Sequence, residues 1–279
     1  MFDETFRVCF ADTPFGVALH QRIRYRVFCL DKGFEDPCAF SSARETDAWD
    51  DQSAHFIVQD KTTRQWVAAT RMVLPKAGRP LPVDNLGAFD REGFGQVDRP
   101  VAEISRFCIV RNRPPRSIGK KGLSEANSLE LWGIGAIGKS QQFEITLGMM
   151  RAQIIFALKR GIDACVMLIT DPFARLLRRL GLRFTQVGPP VQHRGTRTAY
   201  LVHMRESALS MSQESSVVRG MLRRSKHAYV RISSVAGKDL VDTVSEFSPD
   251  HSLFNETIFR ETVLLPAEDD LDLCAGVGD

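Results

Sequence analysis

With 279 residues, 43% hydrophobic side chains and 18 Phe, the chain can bury a sizeable core, which excludes an intrinsically disordered polypeptide. A formal net charge of +3 is too balanced to argue for nucleic acid. The N-terminus MFDETFRVCF has no signal architecture and no apolar run reaches membrane-spanning length, so the expectation is a cytoplasmic protein without an integral membrane segment.

In chain order, Phe6 to Phe10 reads as a first strand. Thr13 then caps a helix with Pro14 at its first position, running to about Cys29. A loop to Asp51 precedes two β-rich runs, His55 to Asp60 and Trp66 to Leu74, a hairpin joined by Lys61 to Arg64. Lys76 to Pro100, rich in Gly, Pro and Asp, reads as a long excursion of the kind that is often functional. Val101 to Val110 is the next strand, followed by a basic loop to Gly122. Phe143 to Arg160 carries apolar residues at helical spacing, and Gly161 stops it. Ala164 to Ile169 suits a central strand, and Asp171-Pro172 caps a short helix, Phe173 to Leu180, ended by Gly181. Phe184 to Val187 and Thr198 to Met204 close the sheet.

One parallel crossover inside an otherwise antiparallel sheet gives an α+β domain over residues 1–205, a mixed twisted sheet flanked by helices. Residues 206–279 read as a C-terminal appendage, with one helix near Val217 to Ala228 and a loosely ordered acidic end. The six cysteines show no zinc spacing, and several lie in apolar strings where a thiol packs as a small hydrophobe, so no metal is expected.

Three clusters put charge where a core pattern does not ask for it: Arg24 to Phe28 with Phe34 following, Asp47 and Asp50 with Arg71 in the hairpin, and Glu103-Ile-Ser-Arg106 inside an apolar strand. Residues three apart in a regular strand face opposite sides, so Glu103 and Arg106 meet only if a bulge lies between them. Such a bulge also leaves a backbone N–H for a developing oxyanion. Glu103 is then a candidate base for attack of an amine on a thioester; the alternative is a strand-to-strand ion pair without chemistry. Asp47 and Asp50 could hold a cationic acceptor, pair with Arg24 and Arg71, or be solvated turn carboxylates.

These elements resemble a family pattern. Acyl-homoserine-lactone synthases carry Arg-x-x-x-Phe near the first helix, Asp-x-x-Asp before the hairpin, an Arg in the following strand and Glu-x-[Ser/Thr]-Arg in the fourth. The chain has Arg24 with Phe28, Asp47 with Asp50, Arg71, and Glu103 with Arg106, in that order. In wording it resembles more closely the acyltransferases associated with PEP-CTERM/exosortase systems. The phrases are Arg24 to Cys29 with Lys32 to Glu35, Thr70 to Pro75, Ala102 to Phe107 and Asp171 to Gly181, leading to Gly188-Pro and His193 to Arg197. Related N-acyl amino acid synthases share the fold, and the order of elements is that of the GCN5-related N-acetyltransferase (GNAT) fold.

The resemblance implies a GNAT-like acyl-CoA N-acyltransferase fold and transfer of a fatty acyl group from acyl carrier protein to the amine of a small acceptor such as an amino acid. Glu103, Arg106 and Ser105 would form the catalytic segment, and Arg24, Phe28, Phe34, Asp47, Asp50, Arg71 and Phe107 would bind substrate. No cofactor is implied, since acyl carrier protein or coenzyme A brings the acyl group as co-substrate. Arg116-Ser-Ile-Gly119 matches only half of a pyrophosphate loop, so Arg111, Arg113, Arg116, Lys120 and Lys121 would dock an acidic carrier. Two other readings stand beside this one: a homoserine-lactone synthase using S-adenosylmethionine, which Phe34 in place of the usual Trp disfavours, and a non-catalytic module that binds acyl carrier protein or lipid.

Overall fold

The computed structural model describes residues 2–40, 42–89, 100–111, 132–214, 216–223 and 228–234. After a short helix α1 (Phe2–Thr5), strand β1 (Phe6–Phe10) leads into α2 (Pro14–Tyr25). The expected cap is present, with the Gly16 N–H donating to the Thr13 hydroxyl at 3.1 Å. The helix does not run on to Cys29 as an α-helix. From Arg26 to Asp31 it widens into a π-helix, with the Lys32 N–H reaching the Val27 carbonyl at 2.9 Å. A π-turn of this kind is a frequent mark of functional sites.

Strands β2 (Ser53–Asp60), β3 (Trp66–Val73) and β4 (Val101–Ile109) continue the sheet antiparallel from β1. Helix α3 (Lys139–Lys159) then crosses over to β5 (Ala164–Ile169), which lies parallel to β4. Helix α4 (Asp171–Arg179) has Thr170 at its cap position, with Asp171 already inside the first turn. It is followed by β6 (Phe184–Gln186), β7 (Val191–Gln192) and β8 (Thr196–His203). The order across the sheet is β6-β8-β5-β4-β3-β2-β1-β9, with β7 paired to β8.

Period-2 alternation sorts the strand residues into two cores. Val8, Phe56, Met72 and Ile104 pack with α3, whereas Cys9, Ile57, Ala69 and Cys108 pack with α2 on the other face. Helix α3 is buried on all sides from Ile145 to Ala157, so its polar members need partners. Arg151 finds Asp3 at 2.6 and 2.9 Å, and Gln153 donates to the Thr70 hydroxyl at 2.9 Å.

Part of the stretch read as an appendage joins this body. Helix α5 (Met204–Glu214) follows β8 directly, α6 (Ser216–Arg223) covers the first half of the helix expected there, and β9 (Val230–Arg231) pairs parallel with β1. Residues 235–279 lie outside the described residues. Among those described, no helix is long and apolar enough to cross a membrane.

Candidate active site

Strand β4 pairs with β5 only at Val101↔Ala164, Ala102↔Cys165 and Glu103↔Val166, although β4 runs on to Ile109 and β5 to Ile169. Beyond Glu103 the two strands share no ladder, so a wedge opens in the middle of the sheet with Glu103 at its apex. The exposure of β4 changes at the same point, from buried at Val101 to Ile104 to half-buried at Ser105, Arg106 and Phe107. On the α3 face of the wedge, the rings of Phe107 and Phe173 meet at 5.3 Å.

The bulge expected between Glu103 and Arg106 lies at Arg106 itself. Arg71 pairs with Ser105 and Ala69 with Cys108, so β4 carries one residue more than β3 over this stretch. Arg106 takes φ 51°, a left-handed conformation that costs a non-glycine residue about 1–3 kcal/mol. This turn puts its guanidinium on the face that Glu103 and Ser105 already share by alternation. Among the described residues, Glu103 and Arg106 form no ion pair; each has other partners.

Arg106 joins a network of guanidiniums and carboxylates. It binds Glu45 at 2.9 Å and Asp47 at 2.9 Å. Arg71 holds Asp47 at 2.5 Å and Asp50 at 2.7 Å, while Arg24 holds Asp50 at 2.5 Å and also bonds Glu45. Arg24 and Arg71 are wholly buried, a position tenable for charges only because each is paired. Three cations against three anions leave the network neutral. Burial opposes charge on Asp47, but the hydrogen bonds and charge of Arg71, with Arg106 and Arg24 behind, hold its carboxyl at about 2. Glu45 and Asp50 are lowered in the same way.

Asp47 and Asp50 therefore spend their oxygens on Arg71, Arg106 and Arg24, which realises the pairing alternative weighed in the sequence. Glu45 escaped sequence reasoning. An acid two residues before Asp47 was its only signal, and nothing in the chain separates it from a solvated loop glutamate. Beneath the network the buried rings of His20 and His55 meet edge-on at 4.5 Å, and burial pushes both toward the neutral form, His20 the further.

Glu103 stands apart from this network. It is 4% exposed and accepts a hydrogen bond from the Val83 N–H at 2.8 Å. Burial raises its carboxyl to about 7, outweighing that N–H and the more distant charges of Arg71 and Arg106. Val83 belongs to the expected long excursion, whose described part, 76–89, thus covers the apex of the wedge. That cover is seated firmly, since a Cβ on Gly188 would lie 1.9 Å from the Ala88 carbonyl oxygen. Ser105 accepts from the Arg71 Nε at 3.1 Å, so its hydroxyl helps orient Arg71.

The π-helix supplies the aromatic wall. Its width turns Phe28 toward the site, where the ring stacks on Phe34 at 6.4 Å, and the Phe34 N–H donates to the Phe28 carbonyl at 2.7 Å. The guanidiniums of Arg106 and Arg194 lie over the same Phe28 ring at 5.8 and 6.0 Å. Arg194, in the β7–β8 turn, also forms an ion pair with Glu35. Of the expected docking residues, Arg111 bridges to Ile137 at the end of β4; Arg113, Arg116, Lys120 and Lys121 lie outside the described residues.

Residues 23–117 match a family profile described as an acetyltransferase (GNAT) domain. The fold is similar to that of BjaI, a CoA-dependent acyl-homoserine lactone synthase solved with SAM and isopentyl-CoA. The TM-score is 0.53 at 18% identity, covering 81% of this chain and 92% of that one. FeeM, an N-acyl amino acid synthase from uncultured soil microbes, matches at TM-score 0.49 and 15% identity, covering 74% of this chain and 93% of that one. The AHL synthase LasI matches at 0.48 and 18%, covering 71% and 90%. No curated protein matches the chain. The fold is the GNAT-like one expected from the order of elements, and the matched profile is that of an acyl-transferring enzyme class.

Proposed function

We propose that the chain is an N-acyltransferase that moves a fatty acyl group from an acyl-carrier-protein thioester to the amine of a small acceptor. The observation that carries this reading is the placement of Glu103. It is a buried carboxyl with no cation in contact among the described residues, pushed up to about 7 by burial, at the apex of a wedge between two parallel strands. A thioester arm laid in that wedge could add hydrogen bonds to the open strand edges, as an added strand does, and would bring its carbonyl carbon to Glu103.

The acceptor arrives as an ammonium and gives one proton to the Glu103 carboxylate, directly or through a water. The freed amine attacks the carbonyl carbon, the oxygen takes up negative charge, and the C–S bond breaks. The departing thiolate takes the nitrogen's second surplus proton, and Glu103 returns its own to solvent. Arg106, Arg71 and Ser105 position the polar face of this chamber, and Phe28 and Phe34 line its apolar side. Asp47 and Asp50 with Glu45 fix Arg24, Arg71 and Arg106.

The choice of donor is supported by the resemblance and by the sequence cluster Arg111, Arg113, Arg116, Lys120 and Lys121, which suits an acidic carrier better than a nucleotide. Reversing several of these charges should raise the KM for acyl carrier protein; an unchanged KM would return the choice to coenzyme A. The association with PEP-CTERM/exosortase systems rests on the wording of the motifs. A second reading, a homoserine-lactone synthase that takes S-adenosylmethionine, is supported by the similarity to BjaI. Lipid extracts from cells expressing the wild type and Glu103→Gln, compared by mass spectrometry, separate the readings. A new amide-linked lipid in the wild type alone supports acyl transfer, and an acyl lactone would favour the second. Absence of either, together with no carrier-thiol release above background, would leave a binding module.

A further inference from the structure

Among the described residues, the guanidiniums grouped about Arg106 are paired with carboxylates except for Arg197. Arg24, Arg71 and Arg106 face Glu45, Asp47 and Asp50, and Arg194 faces Glu35. Arg197, on β8, is half-buried, its Nε is shut off from solvent, and among the described residues it has no hydrogen-bond partner. A buried, unpaired guanidinium nitrogen costs free energy unless a ligand completes it.

The sheet register places this group relative to Glu103. Leu201 pairs with Val166, which pairs with Glu103, and Arg197 lies four residues before Leu201 on the same strand. Alternation puts Arg197 on the face of Ala199 and Leu201, which share a core with Val101 and Val166; Glu103 follows Val101 on that same face. At about 3.3 Å per residue and about 4.8 Å between strands, the Cα atoms of Glu103 and Arg197 stand roughly 16 Å apart. Two long side chains reaching inward shorten that span to the length of a small bifunctional molecule. The opposite wall is fixed, because Arg194 in the adjoining turn is tied to Glu35 and lies over Phe28 beside Arg106. Burial and the nearby charge of Arg106 lower the pKa of Arg197, and burial with Arg197 and Arg106 lowers that of His193, so the turn and the bulge of β4 address one space.

We propose that Arg197 receives the carboxylate of the acceptor, making the acceptor an α-amino acid or similarly short amino-carboxylate whose amine faces Glu103. The assignment rests on the acyl-transfer reading for the direction of the amine, but its anion-binding half stands on the geometry alone. The Arg197 fork matches a carboxylate in two hydrogen bonds, which a lysine cannot reproduce.

The test begins with calorimetric titration of the wild type with the twenty L-amino acids, then with the decarboxylated amine corresponding to the tightest binder. Charge-assisted hydrogen bonds of this kind predict about 10- to 100-fold tighter binding of the amino acid than of its amine. In Arg197→Gln that preference should fall to near unity, and Arg197→Lys should recover part of it. The proposal is overturned if no amino acid binds, if amine and amino acid bind alike, or if Arg197→Gln keeps the preference. The first two outcomes need no variant, so misfolding of a mutant cannot obscure them. Carrier-thiol release run in parallel judges the acyl-transfer reading separately. Amino-acid preference without thiol release upholds the Arg197 site and sinks the enzyme, while release driven equally well by carboxylate-free amines sinks the Arg197 site alone.

Discussion

Glu45 and Glu103 are both buried carboxylates on one side of the same sheet, at 1% and 4% exposure, yet their surroundings push them in opposite directions. Glu45 is gripped by Arg24 and Arg106 and is held below the ordinary carboxylate range despite its burial. Among the described residues Glu103 meets only a backbone N–H in direct contact, and burial lifts it to about 7. The difference shows that burial alone does not make a base. What matters is burial without a contacting cation, and the network holds the guanidiniums of Arg71 and Arg106, the two cations whose charges act on Glu103, on other carboxylates.

Replacing each carboxylate by its amide is the strongest test of that contrast. Glu103→Gln should lower kcat/KM for acyl transfer by about 10²–10⁴-fold, the range of a lost general base, with an unchanged urea midpoint at pH 5. The amide oxygen can still accept from the Val83 N–H. Glu45→Gln strands charge on Arg24 and Arg106 and should cost about 3–5 kcal/mol of stability, read from the urea midpoint. Loss of activity with full stability in Glu45→Gln, or the converse in Glu103→Gln, would break the division of labour.

The pH dependence sharpens it further. The pKa of Glu103 rises from 4.5 unfolded to about 7 folded, so the folded state holds the extra proton. Its stabilising contribution is complete below 4.5 and is lost as pH rises through 7, amounting to about 3 kcal/mol at 1.36 kcal/mol per unit. Glu103→Gln should therefore overtake the wild type in stability between pH 5 and pH 8. Over the same interval wild-type kcat/KM should climb, because the base works only when deprotonated. Asp47 has the opposite sign. Its carboxyl falls from 3.8 to about 2, so it contributes about 2 kcal/mol above 3.8, lost as pH drops through 2. Equal urea midpoints for wild type and Glu103→Gln at both pH values would contradict the raised value for Glu103.

How much of this was legible in the sequence depends on the range of the force concerned. Alternation and turn residues gave β1 to β5 and the hairpin, because the faces of a strand are written every second residue. The match of Arg24, Phe28, Asp47, Asp50, Arg71, Glu103 and Arg106 to one pattern picked out residues that the fold gathers around the bulge of β4. Glu45 was not readable, since an ion pair 61 residues from Arg106 is chosen by tertiary approach. Nor was the π-turn at Arg26 to Asp31, whose composition is that of any amphipathic helix. Strand β9 is two residues long and has no period to detect. The bulge was anticipated, but its position was not, because the left-handed residue is Arg106 rather than a glycine. The charge on Arg197 becomes conspicuous only after its neighbours have been paired.

The smallest effect concerns Phe28, where the two regions meet. Its ring lies under Arg106, a member of the network, and under Arg194, a member of the turn that leads into β8 and Arg197. Phe28→Leu keeps apolar volume in the wall but removes the ring face that attracts both guanidiniums, worth about 0.5–1 kcal/mol. If the ring serves to hold the turn against the chamber, the loss should appear in acceptor KM, raised about two- to five-fold, with kcat and the pH profile of Glu103 unchanged. If kcat falls instead, the ring acts on the Glu103 side of the chamber. The network and the apex of the wedge would then be coupled more closely than their opposite titrations imply.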